Sequence, residues 1–212
     1  MVAPNDPRVE YISLMGPQLG LLCYELRQDV DWLQNKWTEF QELFSKGEER
    51  ITLLNTVASN FFWFLRKMMF EDAMLHLCRL TDPPETRIHT AKKVLIRKNL
   101  TAMALPNAIC DAAFRDLVKS HTQTCKQNCE FARQVRNRLI AHSDFESAQR
   151  AGSGPQIFRS HVEEAIKSLR ALVWLVEEHY GYPPSLLLKD PFGASSLIFY
   201  LERATRGAGA SP

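Results

Sequence analysis

The chain has 212 residues, 45% of them hydrophobic, with 26 Lys and Arg against 24 Asp and Glu and a net charge of +2. That length holds one large domain or a domain with an appendage, and that apolar content supports a real core and excludes wholesale disorder. The near-balanced charge excludes a generally basic, nucleic-acid-coating protein, so any contact with RNA must come from a local patch.

Met1 to Pro7 is polar and proline-rich and lacks the charged start and apolar run of a signal peptide. Residues 1–16 form an N-terminal segment that ends at the Gly16-Pro17 break. Beyond it Leu19, Leu22, Cys23, Leu26, Val30, Leu33, Trp37, Phe40 and Phe44 step by threes and fours, which predicts a long amphipathic helix stopped at Lys46-Gly47. A second helix is expected from about Glu48 to Leu80, with Leu54, Val57, Phe61, Phe64, Met68, Ala73, Leu77 and Leu80 on its buried side. Phe61 to Phe64 is apolar all round, as in a central bundle helix or one that also meets a partner. Val57 to Leu65 is too short to cross a bilayer. Thr81-Asp82-Pro83-Pro84 ends this helix, because consecutive prolines cannot continue it.

Glu85 to Leu105 reads as a long connection able to hold a short helix. It mixes Arg87, His89, Lys92, Lys93, Arg97 and Lys98 with the apolar run Val94-Leu95-Ile96, a local positive patch whose simplest role is a solvated face. A third helix is expected after Pro106, running towards His142, with Ile109, Ala113, Leu117, Phe131, Val135 and Leu139 as its stripe and a polar middle, Ser120 to Asn128, where a kink can fall. Gly152-Ser153-Gly154-Pro155 is a loop. A fourth helix, about Ser160 to Tyr180, carries Val162, Ile166, Leu169, Leu172, Val173 and Val176 and stops at Gly181-Tyr182-Pro183-Pro184. The tail has one apolar cluster, Leu197 to Leu201, and a polar end. Four long amphipathic segments without a strand alternation predict an all-α helical bundle over residues 17–181, with 182–212 as a C-terminal extension. Helix length and surplus aromatics suggest dimerisation through helix faces.

The five cysteines, Cys23, Cys78, Cys110, Cys125 and Cys129, are odd in number in a chain too long to need disulfide staples, so reduced thiols in a cytoplasmic protein are expected. His121, Cys125 and Cys129 recur every four residues and offer zinc-type donors, but no fourth ligand is evident; ordinary buried cysteines and no metal are the expectation. Trp32, Trp37 and Phe61 to Phe64 could stack on bases, yet their helical spacing fits core packing better. His76 and His161 read as structural or exposed.

The residues that carry chemistry lie at the end of the third helix, Arg136-Asn137-Arg138-Leu139-Ile140-Ala141-His142. RNA offers a 2′-hydroxyl beside each phosphodiester. A base that takes its proton lets the oxygen attack phosphorus, and an acid then protonates the leaving 5′-oxygen. Histidine serves both steps near neutrality, and the planar arginine fork stabilises the charged phosphorane. Asn137 can orient the scissile group and Asp144 can steady His142. In a regular helix at about 100° per residue, Arg138 shares a side with His142 while Arg136 lies about 120° away. The two join over one phosphate only if the helix loosens or a second subunit completes the site. The plainer alternative is a solvated arginine and histidine at a helix end.

Arg136 to Asp144 resembles the HEPN signature: an arginine, a polar residue, a variable gap and a histidine at the end of a bundle helix. Its Ala141-His142-Ser143-Asp144 ending, with Arg79-Leu80-Thr81-Asp82 upstream and Lys98-Asn99-Leu100-Thr101 after the connection, resembles the AbiU2-like branch, and the similarity spans roughly Leu53 to Tyr180. The resemblance implies an all-helical homodimer with two motifs facing across a cleft, in a superfamily that includes many metal-independent endoribonucleases of toxin–antitoxin, abortive-infection and other defence systems. It implies Arg136 and His142 as the catalytic pair, Asn137 as the polar residue after the arginine, no cofactor, and RNA and an antitoxin or partner protein as candidate partners. Arg79 and Asp82 match the upstream pattern of the branch; an Arg79–Asp82 pair capping the second helix is their simplest role. The alternative function is a non-catalytic dimeric helical module that binds RNA, nucleotide or a partner protein.

Overall fold

The computed structural model describes residues 6–90, 93–140, 159–182 and 193–208. Its elements are α1 (Pro7–Met15), α2 (Pro17–Phe44), α3 (Glu48–Leu80), β1 (Glu85–His89), β2 (Val94–Lys98), a 3-10 turn (Ala102–Ala104), α4 (Leu105–Ala108), α5 (Ala112–Asn128), α6 (Glu130–Val135), a π-helical turn (Arg136–Ile140), α7 (Arg159–His179) and α8 (Ala194–Ala208). The fold is all-α, and one two-stranded hairpin accompanies the helices among the described residues. The breaks on either side of α2 sit where the sequence puts them, whereas the helix expected after Pro106 is interrupted between α4 and α5. Gly16, directly after α1, and Gly47, directly before α3, adopt φ of 78° and 107°, backbone that glycine enters without a Cβ penalty.

Two compact units emerge. One comprises residues 1–31 and 74–185, the other 32–73 and 186–212. In the first, α5 packs along α7. The α7 side of that core is Val162, Ile166, Leu169, Leu172, Val173 and Val176, all buried. The stripe of α2 is buried from Leu19 to Val30, with Leu22 half-buried. Helix α1 crosses closely over the start of α2: a Cβ at Gly20 would run into the backbone of Tyr11 and Ile12. In the second unit Leu33, Trp37, Phe40 and Phe44 continue the α2 stripe, Trp37 stacks on Phe40 at 4.8 Å between ring centroids, and the Glu39 carboxylate caps α8 by accepting from the Ala194 N–H.

Three expectations need correction. First, Val57, Phe61, Phe64 and Met68 are 40, 59, 56 and 57% exposed, and Phe62 takes the buried side instead. Ala58 has non-helical backbone, φ −161° and ψ 71°, so a stripe extrapolated from Leu54 through residue 58 lands on the wrong face. Trp32 is likewise exposed, whereas Trp37 is core.

Second, the connection after α3 holds a β-hairpin rather than a short helix, with Glu85 opposite Lys98 and His89 opposite Val94. Its base is fixed by side chains that the sequence does not advertise. The Asn99 amide donates to the Pro83 carbonyl and the Thr86 hydroxyl at 2.8 and 2.7 Å, and the Thr101 hydroxyl lies 3.0 and 2.8 Å from the Leu80 and Asp82 carbonyls. The described residues of the positive patch, Arg87, His89, Lys93, Arg97 and Lys98, are exposed on and beside this hairpin.

Third, the stripe of α5 runs one residue later than expected. Phe114, Val118, Thr122 and Cys125 are buried while Ala113 and Leu117 face solvent. The N-cap Asp111, whose carboxylate accepts from the Phe114 N–H at 2.7 Å, sets the helix start. The polar stretch from Ser120 to Asn128 is helical throughout, and the break falls just past it at Cys129, between α5 and α6.

Candidate functional site

The end of α3 is built to receive arginines. The Thr81 hydroxyl donates back to the Leu77 carbonyl at 2.8 Å, closing the last turn. From α6, Arg133 donates to the Thr81 carbonyl and, at 3.0 Å, to its hydroxyl oxygen. Cations so placed complement the exposed carbonyls of a helix C-terminus. One turn beyond Arg133, Arg136 sets its Nη1 3.6 Å from Asp82 Oδ1 and donates from Nε to its neighbour Asn137 at 3.2 Å. Both members of the Arg136–Asp82 pair are about one-third exposed (32% and 34%). Beneath them the buried Cys78 thiol is pushed up by burial, an effect that the charges of Arg136 and Arg133 oppose.

Arg79 does not pair with Asp82. Its Nη2 donates to Asp29 of α2 at 2.8 Å and lies 2.8 Å from Nε2 of the buried His76, which is itself 3.7 Å from the same Asp29 oxygen. The two upstream residues therefore serve different ends. Arg79 ties α3 to α2, and Asp82 meets Arg136. His76 is structural, and His161 is exposed beside Phe131.

The backbone that carries Arg136, Asn137 and Arg138 is π-helical from Arg136 to Ile140. This wider turn, bonded five residues apart, rotates successive side chains by less than a regular helix does and recurs at functional sites. The 120° separation drawn for a regular helix does not apply across this segment. Asn137 and Arg138 are exposed. His142 and Asp144 lie outside the described residues.

Cys125 and Cys129 are buried, and burial raises their thiols to about 11 and about 12, which holds them neutral as packing groups. Among the described residues no group of three His, Cys, Asp or Glu is arranged to hold a metal, and no helix is long and apolar enough to cross a membrane.

A bundle of long helices that presents Arg136 and Asn137 at the end of one of them, in a sequence that places a histidine after four further residues, defines a HEPN-class domain. Within that class the chain belongs to the AbiU2 family, whose model matches residues 17–191. Membership associates it with abortive-infection-related domains. No curated protein and no solved structure matches the chain.

Proposed function

We propose that the chain is a metal-independent endoribonuclease of an abortive-infection, toxin–antitoxin or related defence system, working as a homodimer in the cytoplasm. The observation that carries this is the family match, which spans the whole signature from Arg136 to His142. His142 takes the 2′-hydroxyl proton, and the 2′-oxygen attacks phosphorus. Arg136 binds the oxygens of the phosphorane, the 5′-oxygen leaves with a proton from the histidine of a facing motif, and a 2′,3′-cyclic phosphate and a 5′-hydroxyl remain. Asn137 and Arg138 orient the strand, and Asp144 steadies His142. Base, acid and charge stabiliser are all side chains, so the scheme requires no metal.

Purified protein is expected to cut mixed RNAs equally with and without chelator, and to leave intact a strand carrying 2′-deoxyribose at every position. His142→Ala should lower the rate by about 10²–10⁴-fold and Arg136→Ala by about 10²–10³-fold, with folding unchanged. Cleavage that persists in both variants rules out this site. A second reading, a dimeric module that binds without cutting, draws on the exposed apolar side of α3 from Val57 to Met68. Stable RNA binding by a protein that never cuts would select it.

A further inference from the structure

A cavity of about 820 Å³ opens between the end of α3, α4 and the outer side of α5. Its charged lining residues are Arg115, Lys119 and Lys126, with Asp116 the one carboxylate, all exposed on α5. None of the three cations has an ion-pair partner among the described residues. Three residues with unspent charge on one helix side are held there by the buried register of Phe114, Val118, Thr122 and Cys125 behind them. At about 1.5 Å rise per residue, Lys119 lies about 6 Å and Lys126 about 16 Å along the axis from Arg115. A row of that length cannot converge on one phosphate; it fits a linear polyanion. Pro83, Pro106 and Met103 supply an apolar floor against which ribose and base can lie.

The cavity ends where the candidate site begins. Thr81 lines it, the same Thr81 whose carbonyl accepts from Arg133, and the next residue, Asp82, holds Arg136. We propose that the α5 row, Arg115, Lys119 and Lys126, is a single-stranded RNA track that leads the strand to Arg136. The direction of the track rests on the ribonuclease reading; the binding itself does not.

The test is the affinity of a fluorescent mixed-sequence 12-nucleotide single-stranded RNA for the full chain across a salt series. The triple variant Arg115→Ala/Lys119→Ala/Lys126→Ala should bind at least tenfold more weakly at low salt. Its log–log salt slope should be shallower by about 2, as expected for three phosphate contacts on a single strand. The charge-preserving triple Arg115→Lys/Lys119→Arg/Lys126→Arg should retain binding, which separates lost charge from lost fold. An unchanged slope in the alanine triple overturns the track even if the wild type cuts RNA. Tighter binding of a poly-glutamate peptide of equal charge also overturns it, assigning the row to an acidic protein. Slope loss in a wild type that never cuts RNA supports the track while sinking the nuclease reading, and a wild type that neither binds nor cuts sinks both.

Discussion

Two of the carboxylate–arginine pairs among the described residues serve opposite ends. Glu177 on α7 is wholly buried, and both its oxygens are spoken for: Tyr11 donates its hydroxyl to one at 2.5 Å and Arg27 donates to the other at 2.7 Å. Arg27 in turn binds Asp31 at 2.7 Å, so α1, α2 and α7 meet at one buried network in which both Glu177 oxygens are satisfied. Asp82 meets Arg136 at 3.6 Å where each is about one-third exposed, 32% and 34%. A buried, saturated pair fixes helices because removing either side strands a charge. A loose surface pair contributes little and yields to a stronger anion. The difference separates an arginine that holds the fold from one whose weak pairing suits the phosphate contact proposed for it.

The comparison can be broken first at Glu177. Glu177→Ala leaves Arg27 without its buried counter-ion and should cost about 3–5 kcal/mol in denaturant unfolding. A loss below about 1 kcal/mol would mean that the network is not what ties the three helices. The second effect is a pH dependence. Burial pushes the Glu177 carboxyl above its ordinary value, opposed by Tyr11 and Arg27. The folded chain therefore keeps this proton to higher pH than the unfolded chain does. The resulting stability is fully present below the unfolded carboxylate value of about 4.3 and is lost as pH rises through the folded one. Thermal melts from pH 4 towards neutrality should show this decline in the wild type, and Glu177→Gln should lack it; parallel curves would discard the assignment. The smallest effect belongs to Asp82→Asn, which should change stability by less than about 1 kcal/mol. By freeing Arg136 it should lower KM for RNA while leaving kcat nearly unchanged. A large loss of stability would place Asp82 with Glu177, on the structural side.

Long stripes made most of the fold legible. The spacing of α2 and α7 specifies most of their buried faces, with Leu22 half-buried and Leu43 and Glu177 added to the interior, because each helix runs unbroken for many turns. Legibility fails where the backbone changes phase or both registers are apolar. Ala58 breaks the count in α3, and in α5 Leu117 and Val118 are equally apolar while the count starts from Ile109, which lies in extended backbone ahead of the helix. The hairpin is exposed along nearly its whole length, so it carries no inside–outside alternation to read. Of the candidate site, Arg136, Asn137 and Arg138 are visible as a signature. The Arg136–Asp82 and Arg133–Thr81 contacts bring together residues more than 50 apart, and the basic row of α5 is legible only once that helix's buried side is known.

Cys110, directly before the Asp111 cap, is exposed, while Cys23, Cys78, Cys125 and Cys129 are buried. The native chain thus carries a single thiol that a maleimide dye reaches without unfolding. A dye there sits at the α5 end nearest Arg115, so its emission tests the proposed bound strand, and two such dyes test the proposed pairing of two chains by energy transfer. The unaltered sequence becomes its own spectroscopic probe, and no cysteine has to be removed from the core to use it.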